Sequence, residues 1–141
     1  MAREIFWRLH CTSAPETVYA LWTTDAGRSR FWAEESRASE AGFTLRFPDG
    51  TEAHCTILEA IAPERFVFTY FGSRVEVALT RDPQGGTDLS LRNSGVADDD
   101  YEEVHAGWLN VLFPLKAAAD FGVDLRNHDP GRTWRQGYVD Q

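Results

Sequence analysis

His105 is the titratable residue best placed for acid–base chemistry, because it falls near the start of a predicted C-terminal helix, on the apolar face. Acid–base catalysis needs such a group inside a cavity. Asn93 and Glu59 are weaker candidates. The sequence has no glycine-rich phosphate loop, no nucleophile elbow and no nucleophile–base pair that a motif identifies. We therefore assign no catalytic residue, and a histidine at a cavity rim is the simpler interpretation.

Two His-Cys pairs, at His10-Cys11 and His54-Cys55, raise the question of a metal site. Adjacent residues on a strand point to opposite faces of the sheet, so neither pair can hold one ion together. A zinc site usually needs three or four convergent ligands, which this spacing does not supply. We expect no metal and no cofactor, and we interpret both cysteines as small core residues.

Aromatic side chains at inward-facing positions are the candidates for contact with an apolar ligand. Strand alternation and helical spacing select most of them, and Trp32 is expected near the mouth of the cavity. The predicted ligand-binding residues are Trp7, Trp32, Phe43, Phe68, Tyr70, His105, Trp108 and Leu112. For any single residue in this set, simple packing in the core is the more frequent outcome.

A helix over residues 101–122 must position several of these side chains. Tyr101, Val104, Trp108 and Leu112 recur at helical spacing on one broad apolar face. Gly122 is a natural stop because glycine accepts the left-handed conformation after the last turn. The pattern predicts a kink at Pro114, on the side away from the apolar face.

The preceding residues predict the sheet on which this helix lies. Residues 4–11 alternate apolar and polar side chains and predict a first strand. Ser13 and Glu16 have the spacing of a capping box, so a short helix follows, and a second is expected over residues 25–32. A weak edge strand over residues 33–40 and further strands separated by turn signals extend to residue 95. Hairpin spacing implies an antiparallel sheet, and the fold class is α+β with about seven strands.

Five local motifs, in this order, carry a resemblance to a known superfamily. They are Ser13-Ala14-Pro15-Glu16 with Val18 (similar to "APxxVW"), Phe31-Trp32 ("kWw"), residues 63–70 ("PerlvfTW"), residues 85–91 ("GGTrltl") and Gly107-Trp108 with Leu112 and Leu115 ("GWxxxLxxL"). Residues 3–122 thus resemble the START-like, or Bet v-like, superfamily (SRPBCC). The branch is similar to the C-terminal domain of the activator of heat-shock protein 90 ATPase. Tyr19 departs from this pattern, which has Trp there.

The resemblance implies a helix-grip fold, in which a curved sheet wraps around the long helix with a cavity between them. Members of the superfamily bind hydrophobic molecules, cyclise polyketides or assist a chaperone, so the fold leaves function open. The function we expect is binding of a small hydrophobic ligand, lipid-like or aromatic, in that cavity. The alternatives are a protein-interaction module resembling the co-chaperone domain and a polyketide cyclase-like enzyme.

Composition restricts the partners. A formal net charge of −8 argues against a nucleic acid partner. No apolar run is long enough to cross a membrane, and the N-terminus lacks the apolar stretch of a signal peptide. We therefore expect a cytoplasmic protein with no membrane partner. The 141 residues predict a single START-like domain, with residues 123–141 as a C-terminal extension.

The extension and the back of the long helix carry apolar residues that need a cover. Phe113 and Phe121 lie roughly opposite Trp108 on the helical wheel, and the extension contains Trp134 and Tyr138. Such a composition is too aromatic for a disordered tail. We expect the extension to fold back along the helix or body, or two chains to pair there as a homodimer. Solvated phenylalanines are the alternative.

Overall fold

The computed structural model describes residues 2–141 and is built around one curved sheet of seven antiparallel strands. The strands are β1 (Ala2–Cys11), β2 (Glu35–Ala38), β3 (Gly42–Arg46), β4 (Glu52–Ile61), β5 (Arg65–Tyr70), β6 (Ser73–Arg81) and β7 (Thr87–Ala97). Their spatial order is β1-β7-β6-β5-β4-β3-β2. Each strand from β2 to β7 therefore lies beside the next strand in the sequence, as in a series of hairpins, and β1 pairs with β7. This confirms the predicted α+β helix-grip fold.

Two short helices follow β1, and a long helix follows β7. The short helices are α1 (Pro15–Thr23) and α2 (Asp25–Arg28); the long helix consists of α3 (Tyr101–Gly107), α4 (Leu109–Lys116) and a π-helical turn (Ala117–Phe121). A 3₁₀ turn (Asp98–Asp100) precedes the long helix. Within residues 2–141, no helix has both the length and the apolar character that crossing a membrane requires.

The core lies between the concave face of the sheet and the long helix. Val77 of β6 pairs with Leu91 of β7, and both side chains are buried, as strand alternation requires. From the helix, Leu112 and Leu115 are buried against this face. Trp22 of α1 stacks edge-on against Trp32 with ring centroids 5.2 Å apart, which closes the core on the side of the short helices.

The long helix ends where glycine allows it but buries a wider arc than predicted. Gly122 has a φ of 63° and its N–H bonds to the Ala118 carbonyl, which confirms the predicted stop. Pro114 is buried, so its predicted place on the outer side was wrong. The reason is spacing: Pro114 belongs to the i, i+3, i+4 row that contains Val111 and Leu115, and this row faces inward.

The predicted capping box at α1 does not form. The helix begins at Pro15, and Ala14 is the N-cap without a side-chain hydrogen bond. Ser13 instead donates its hydroxyl to the Ala119 carbonyl at 2.6 Å, and its N–H donates to Asp120 at 3.0 Å. The serine therefore ties the β1–α1 connection to the end of the long helix, a tertiary role that local spacing does not reveal.

Residues 123–141, which we call the C-terminal segment, fold back over the body. The guanidinium of Arg126 donates to the carbonyls of Ala33 and Ser29, each at 2.7 Å. Farther along, Thr133 and Gln136 form a capping box on a 3₁₀ turn (Trp134–Gln136). The segment leaves two phenylalanines on the back of the long helix uncovered, since Phe113 is 60% and Phe121 70% exposed in the single chain.

Candidate ligand-binding site

A cavity of about 550 Å³ lies between the sheet and the first half of the long helix. Its walls come from the β5–β6 turn, the end of β7, the β3–β4 turn, α3 and the C-terminal segment. From the second half of the helix, Leu115 is fully buried and does not line this cavity. The cavity thus occupies one end of the helix grip.

Three aromatic side chains line the inner part of the cavity. The Tyr70 ring lies 5.5 Å from the Trp32 ring and 5.2 Å from the Trp108 ring, measured between centroids. Trp32 is only 4% exposed, so it lies at the floor of the cavity and not near the mouth as predicted. The floor is therefore an aromatic surface formed by a turn after α2, a strand and the helix.

A buried polar network holds Trp108 in place. Its indole N–H donates to the Asn93 side-chain oxygen at 3.0 Å, and the Asn93 amide donates to the Ser73 hydroxyl at 2.8 Å. Asn93 is fully buried, and this network satisfies both ends of its side chain. The role of Asn93 in this structure is thus to orient a cavity wall.

Trp32 and Tyr70 differ from Trp108 because, among residues 2–141, neither side chain donates its proton to a protein acceptor of good geometry. Among residues 2–141, the buried Trp32 indole N–H has no hydrogen-bond partner of good geometry. Burial is the main influence on the Tyr70 phenol and raises its pKa, while the nearby Trp32 N–H acts in the opposite direction. The phenol therefore stays protonated and is a hydrogen-bond donor.

Phe71 forms the rim of the cavity in an uncommon backbone conformation. Tyr70 pairs with Ser73, so Phe71 and Gly72 make a two-residue hairpin turn with φ values of 47° and 77°. Such type I′ turns favour Asn-Gly, and a bulky residue in the left-handed region costs about 1 kcal/mol. The Phe71 ring is 59% exposed and stacks on Phe47 at 6.4 Å.

The mouth of the cavity carries more acidic than basic groups. Asp100 and Glu103 are one helical turn apart, followed on the same wall by Val104, Gly107 and Trp108. The helix thus presents carboxylates at the mouth and apolar groups inside.

The C-terminal segment completes the mouth. Arg135 binds Asp49 at 2.9 Å and the Thr51 hydroxyl at 3.2 Å, and the Trp134 indole N–H donates to Glu103 at 3.3 Å. Burial acts to raise the pKa of Asp49, but hydrogen bonds from Thr51 and the Arg135 cation outweigh it, so the pKa is lowered. Arg135 is therefore already paired with a carboxylate at the cavity mouth.

The structure places the eight predicted ligand-binding residues in three groups. Trp32, Tyr70 and Trp108 line the cavity. Phe43, Phe68 and Leu112 are packed in the core. Trp7 and His105 stack on each other 4.6 Å apart, outside the cavity wall. A ligand-binding role for the last five residues has no geometric support in the single chain.

His105 belongs to an aromatic column near the N-terminus of the helix. Its ring also stacks on Tyr101, and the Arg3 guanidinium lies over the Tyr101 ring, 3.6 Å from its centroid. The Trp7 indole N–H donates to the His105 backbone carbonyl at 3.2 Å. Glu59, the weaker acidic candidate, pairs with Arg65 at 3.1 Å. Neither His105 nor Glu59 is among the cavity-lining residues.

Sequence reasoning missed Phe47, Phe71, Trp134 and Arg135 as lining residues. The available signal for Phe71 was the dipeptide Phe71-Gly72 between two alternating strands, which marks a two-residue turn. No local signal places the C-terminal segment at the mouth, because its anchors are distant in the chain.

Cys11 and Cys55, the cysteines of the two His-Cys pairs, are both buried. Among residues 2–141, no three or more His, Cys, Asp or Glu side chains gather in a geometry that could hold a metal ion. Burial raises the pKa of the Cys11 thiol to about 11 and that of Cys55 to about 12. Both thiols therefore remain protonated and poorly nucleophilic at neutral pH.

Known structures share this fold. A protein from Staphylococcus saprophyticus is 20% identical with a TM-score of 0.75, over 88% of this chain and 96% of that one. The Aha1 dimer from Colwellia psychrerythraea is 20% identical with a TM-score of 0.76, over 85% of this chain and 98% of that one. CalU16 from Micromonospora echinospora is 25% identical with a TM-score of 0.68, over 82% of this chain and 73% of that one.

At the level of sequence, the match is to a family. No curated protein matches this sequence significantly. The pattern of a family described as "Activator of Hsp90 ATPase homolog 1-like protein" matches residues 12–120, which is most of the chain. By this match and by its fold, the chain belongs to the family of activator of Hsp90 ATPase homolog 1-like proteins.

Proposed function

We propose that this protein binds a small hydrophobic molecule in the cavity between the sheet and the long helix. The observation that carries the proposal is the cavity of about 550 Å³ with Trp32, Tyr70 and Trp108 at its floor. This volume falls within the range of about 300–1,000 Å³ that is usual for small-molecule sites. A few polar groups at the mouth, around an apolar interior, are also usual for such sites.

Gly107 offers a way to test the proposal without damaging the core. A Cβ added at Gly107 meets no atom within 4 Å, and Gly107 lines the cavity. Gly107→Leu should therefore fill part of the cavity without a clash. The substitution should also stabilise the helix, because glycine is less favourable than leucine in a helix interior by somewhat under 1 kcal/mol.

The experiment is native mass spectrometry of freshly purified protein, combined with thermal unfolding. We expect a co-purified small molecule on the wild-type chain, and its loss from Gly107→Leu at an equal or higher melting temperature. The matched control is Ala106→Leu, which adds a similar side chain at the neighbouring exposed position and should keep the molecule. Equal occupancy in Gly107→Leu and in wild type would exclude this cavity as the site.

A second candidate function is self-association, which the exposed apolar residues favour. Four apolar residues in this region are each about half or more exposed: Phe113 and Phe121 of the long helix, and Val123 and Leu125 just after it. Exposed apolar patches of this kind are typical of protein interfaces. The solved Aha1 from Colwellia psychrerythraea is a dimer. We infer that two copies of this chain pair through the back of the long helix and the start of the C-terminal segment.

The molar mass in solution tests this second candidate. Light scattering should give twice the mass of the chain for wild type and the single mass for Phe113→Asp. Phe6→Asp, at another exposed phenylalanine on β1, is the control and should stay dimeric. A wild-type mass equal to one chain across micromolar concentrations would contradict the interface.

A further inference from the structure

Two hydrogen-bond donors in the cavity lack a protein acceptor. The Trp32 N–H has no hydrogen-bond partner of good geometry among residues 2–141; it lies near the Tyr70 oxygen, which can only accept from it, so the Tyr70 O–H still lacks a protein acceptor. Trp22 also has an unpartnered N–H, but Trp22 is not among the cavity-lining residues. An unpaired buried donor such as the Trp32 N–H is unfavourable, and Trp32 and Tyr70 both line the cavity, where a ligand atom has room to accept a hydrogen bond.

The charges at the mouth argue against an acid as the ligand. The ionised groups of the lining are Asp49, Asp100, Glu103 and Arg135, so carboxylates outnumber cations. Arg135 is already bound to Asp49 at 2.9 Å. A ligand carboxylate would therefore enter a negative field without a free cation to meet it, whereas an uncharged oxygen acceptor would not be repelled.

The rings of the lining favour a flat ligand. Phe71 and Phe47 stack with their planes 28° apart at the rim, and the Tyr70 ring bridges from Phe71 at 4.7 Å to Trp108 at 5.2 Å. This continuous aromatic wall offers ring faces and edges for stacking with another flat ring system. Phe71 holds its place there in a strained left-handed conformation, which is the kind of outlier that accompanies binding sites.

We propose that the ligand of this cavity is a flat, uncharged ring compound whose carbonyl or ether oxygen accepts a hydrogen bond from the Tyr70 hydroxyl, with Phe71 stacking on it at the rim. The inference rests on the proposed function and specifies its ligand. Tyr70 and Phe71 are then adjacent residues of one hairpin that contact the two parts of the ligand, the oxygen and the ring.

The test uses four probes that together separate the contributions of the ring system, the carbonyl and the charge. 9-Fluorenone has the flat ring system and the carbonyl, fluorene lacks the carbonyl, fluorene-9-carboxylate carries an acid, and dodecan-2-one keeps the ketone on an aliphatic chain. Dissociation constants are measured by titration calorimetry on wild type, Tyr70→Phe and Phe71→Asn. Comparing each variant across the probes cancels the differences in hydration between the free probes.

Tyr70→Phe should weaken binding of 9-fluorenone about three- to tenfold, the factor of one net hydrogen bond, and leave fluorene unchanged. Phe71→Asn should raise the melting temperature by about 2–4 °C, because Asn-Gly suits the turn, and should weaken both ring probes several-fold. Fluorene-9-carboxylate and dodecan-2-one should bind at least tenfold more weakly than 9-fluorenone.

Three results would overturn the inference. They are an equal effect of Tyr70→Phe on 9-fluorenone and fluorene, tighter binding of the acid or of dodecan-2-one than of 9-fluorenone, and no binding of either ring probe. A stabilised Phe71→Asn variant with unchanged affinity would remove the role of Phe71. The proposed function is judged separately, since the Gly107→Leu experiment reports any co-purified molecule regardless of its class.

Discussion

Arg126 is the main anchor of the C-terminal segment, and its replacement by methionine tests whether this side chain holds the segment on the body. The side chain is 3% exposed and donates to two backbone carbonyls, of Ala33 and Ser29, and to Asp124. Methionine keeps much of the length and the apolar contacts but removes every donor. The two carbonyls then lose a charged partner in a buried site.

The expected loss can be worked out from these bonds. A hydrogen bond to a charged donor contributes about 1.5–3 kcal/mol, so the two carbonyl bonds sum to about 3–6 kcal/mol. The Asp124 bond adds little, because this carboxylate is 40% exposed and solvent screens it. The segment can also detach and let water reach the carbonyls, which limits the loss to the free energy of docking. We therefore expect a loss of about 2–3 kcal/mol, at or just below the lower limit of that sum.

Hydrogen exchange distinguishes detachment from general destabilisation. In Arg126→Met, the amides of Asn127, Gly137 and Tyr138, which are hydrogen-bonded within the docked segment, should exchange about thirtyfold or more faster. Sheet amides in β6 and β7 should change far less. Arg132→Met is the matched control, because Arg132 is an exposed arginine of the same segment, and its loss should cost under about 0.5 kcal/mol. Unchanged exchange in the segment of Arg126→Met would refute the assignment of Arg126 as its anchor.

Two further predictions concern titratable groups. His128 lies between Glu34 at 2.6 Å and Asp124 at 2.7 Å; burial acts to lower its pKa, but these carboxylates outweigh burial and raise it above 6.5. Docking of the segment should therefore be strongest below pH 6.5 and weaken as the pH rises through the raised pKa. Hydrogen exchange of the segment, measured below pH 6.5 and again above the raised pKa of His128, should report this change in docking. The variant His128→Gln should abolish the change. The side chain of Asp120 is buried and accepts from the N–H groups of Thr12 and Ser13 and from Lys116. Asp120→Asn should therefore lower the free energy of unfolding in urea by about 2–3 kcal/mol. A loss below about 0.5 kcal/mol would show that these hydrogen bonds do not hold the end of the helix to β1.

The sheet was predictable from sequence because each strand carries its own signal. Alternation in β6 and β7 reports one buried face, and turn residues such as Gly50 and Gly85, both with positive φ, separate the strands. Gly122 likewise marks the helix end by its own backbone requirement. These features depend on residues within a few positions of one another, which is the range over which sequence patterns carry physical information.

The candidate site was less predictable because its walls meet only in the folded chain. Strand alternation identified Tyr70, and helical spacing identified Trp108, as inward-facing residues. Strand alternation also assigns Trp7 to the inward face, yet its ring stacks on His105 instead of lining the cavity. Ser13 has the spacing of a cap, yet it bonds to Ala119 over a hundred residues away. The C-terminal segment reaches the mouth through Arg126 and Arg135, whose partners Ala33 and Asp49 have no sequence relation to them.

The position of the cavity follows from side-chain size along one wall. Where the helix faces filled core it presents Leu112 and Leu115, whereas beside the cavity it presents Gly107, and β7 presents Gly95. Built at either glycine, a Cβ would meet no atom within 4 Å, whereas at Gly42 it would collide with backbone. The first two glycines thus leave space where Gly42 permits close packing. A larger residue at position 107 would fill part of the cavity, so whether a chain with this fold can bind a ligand here must be argued from its own side chains.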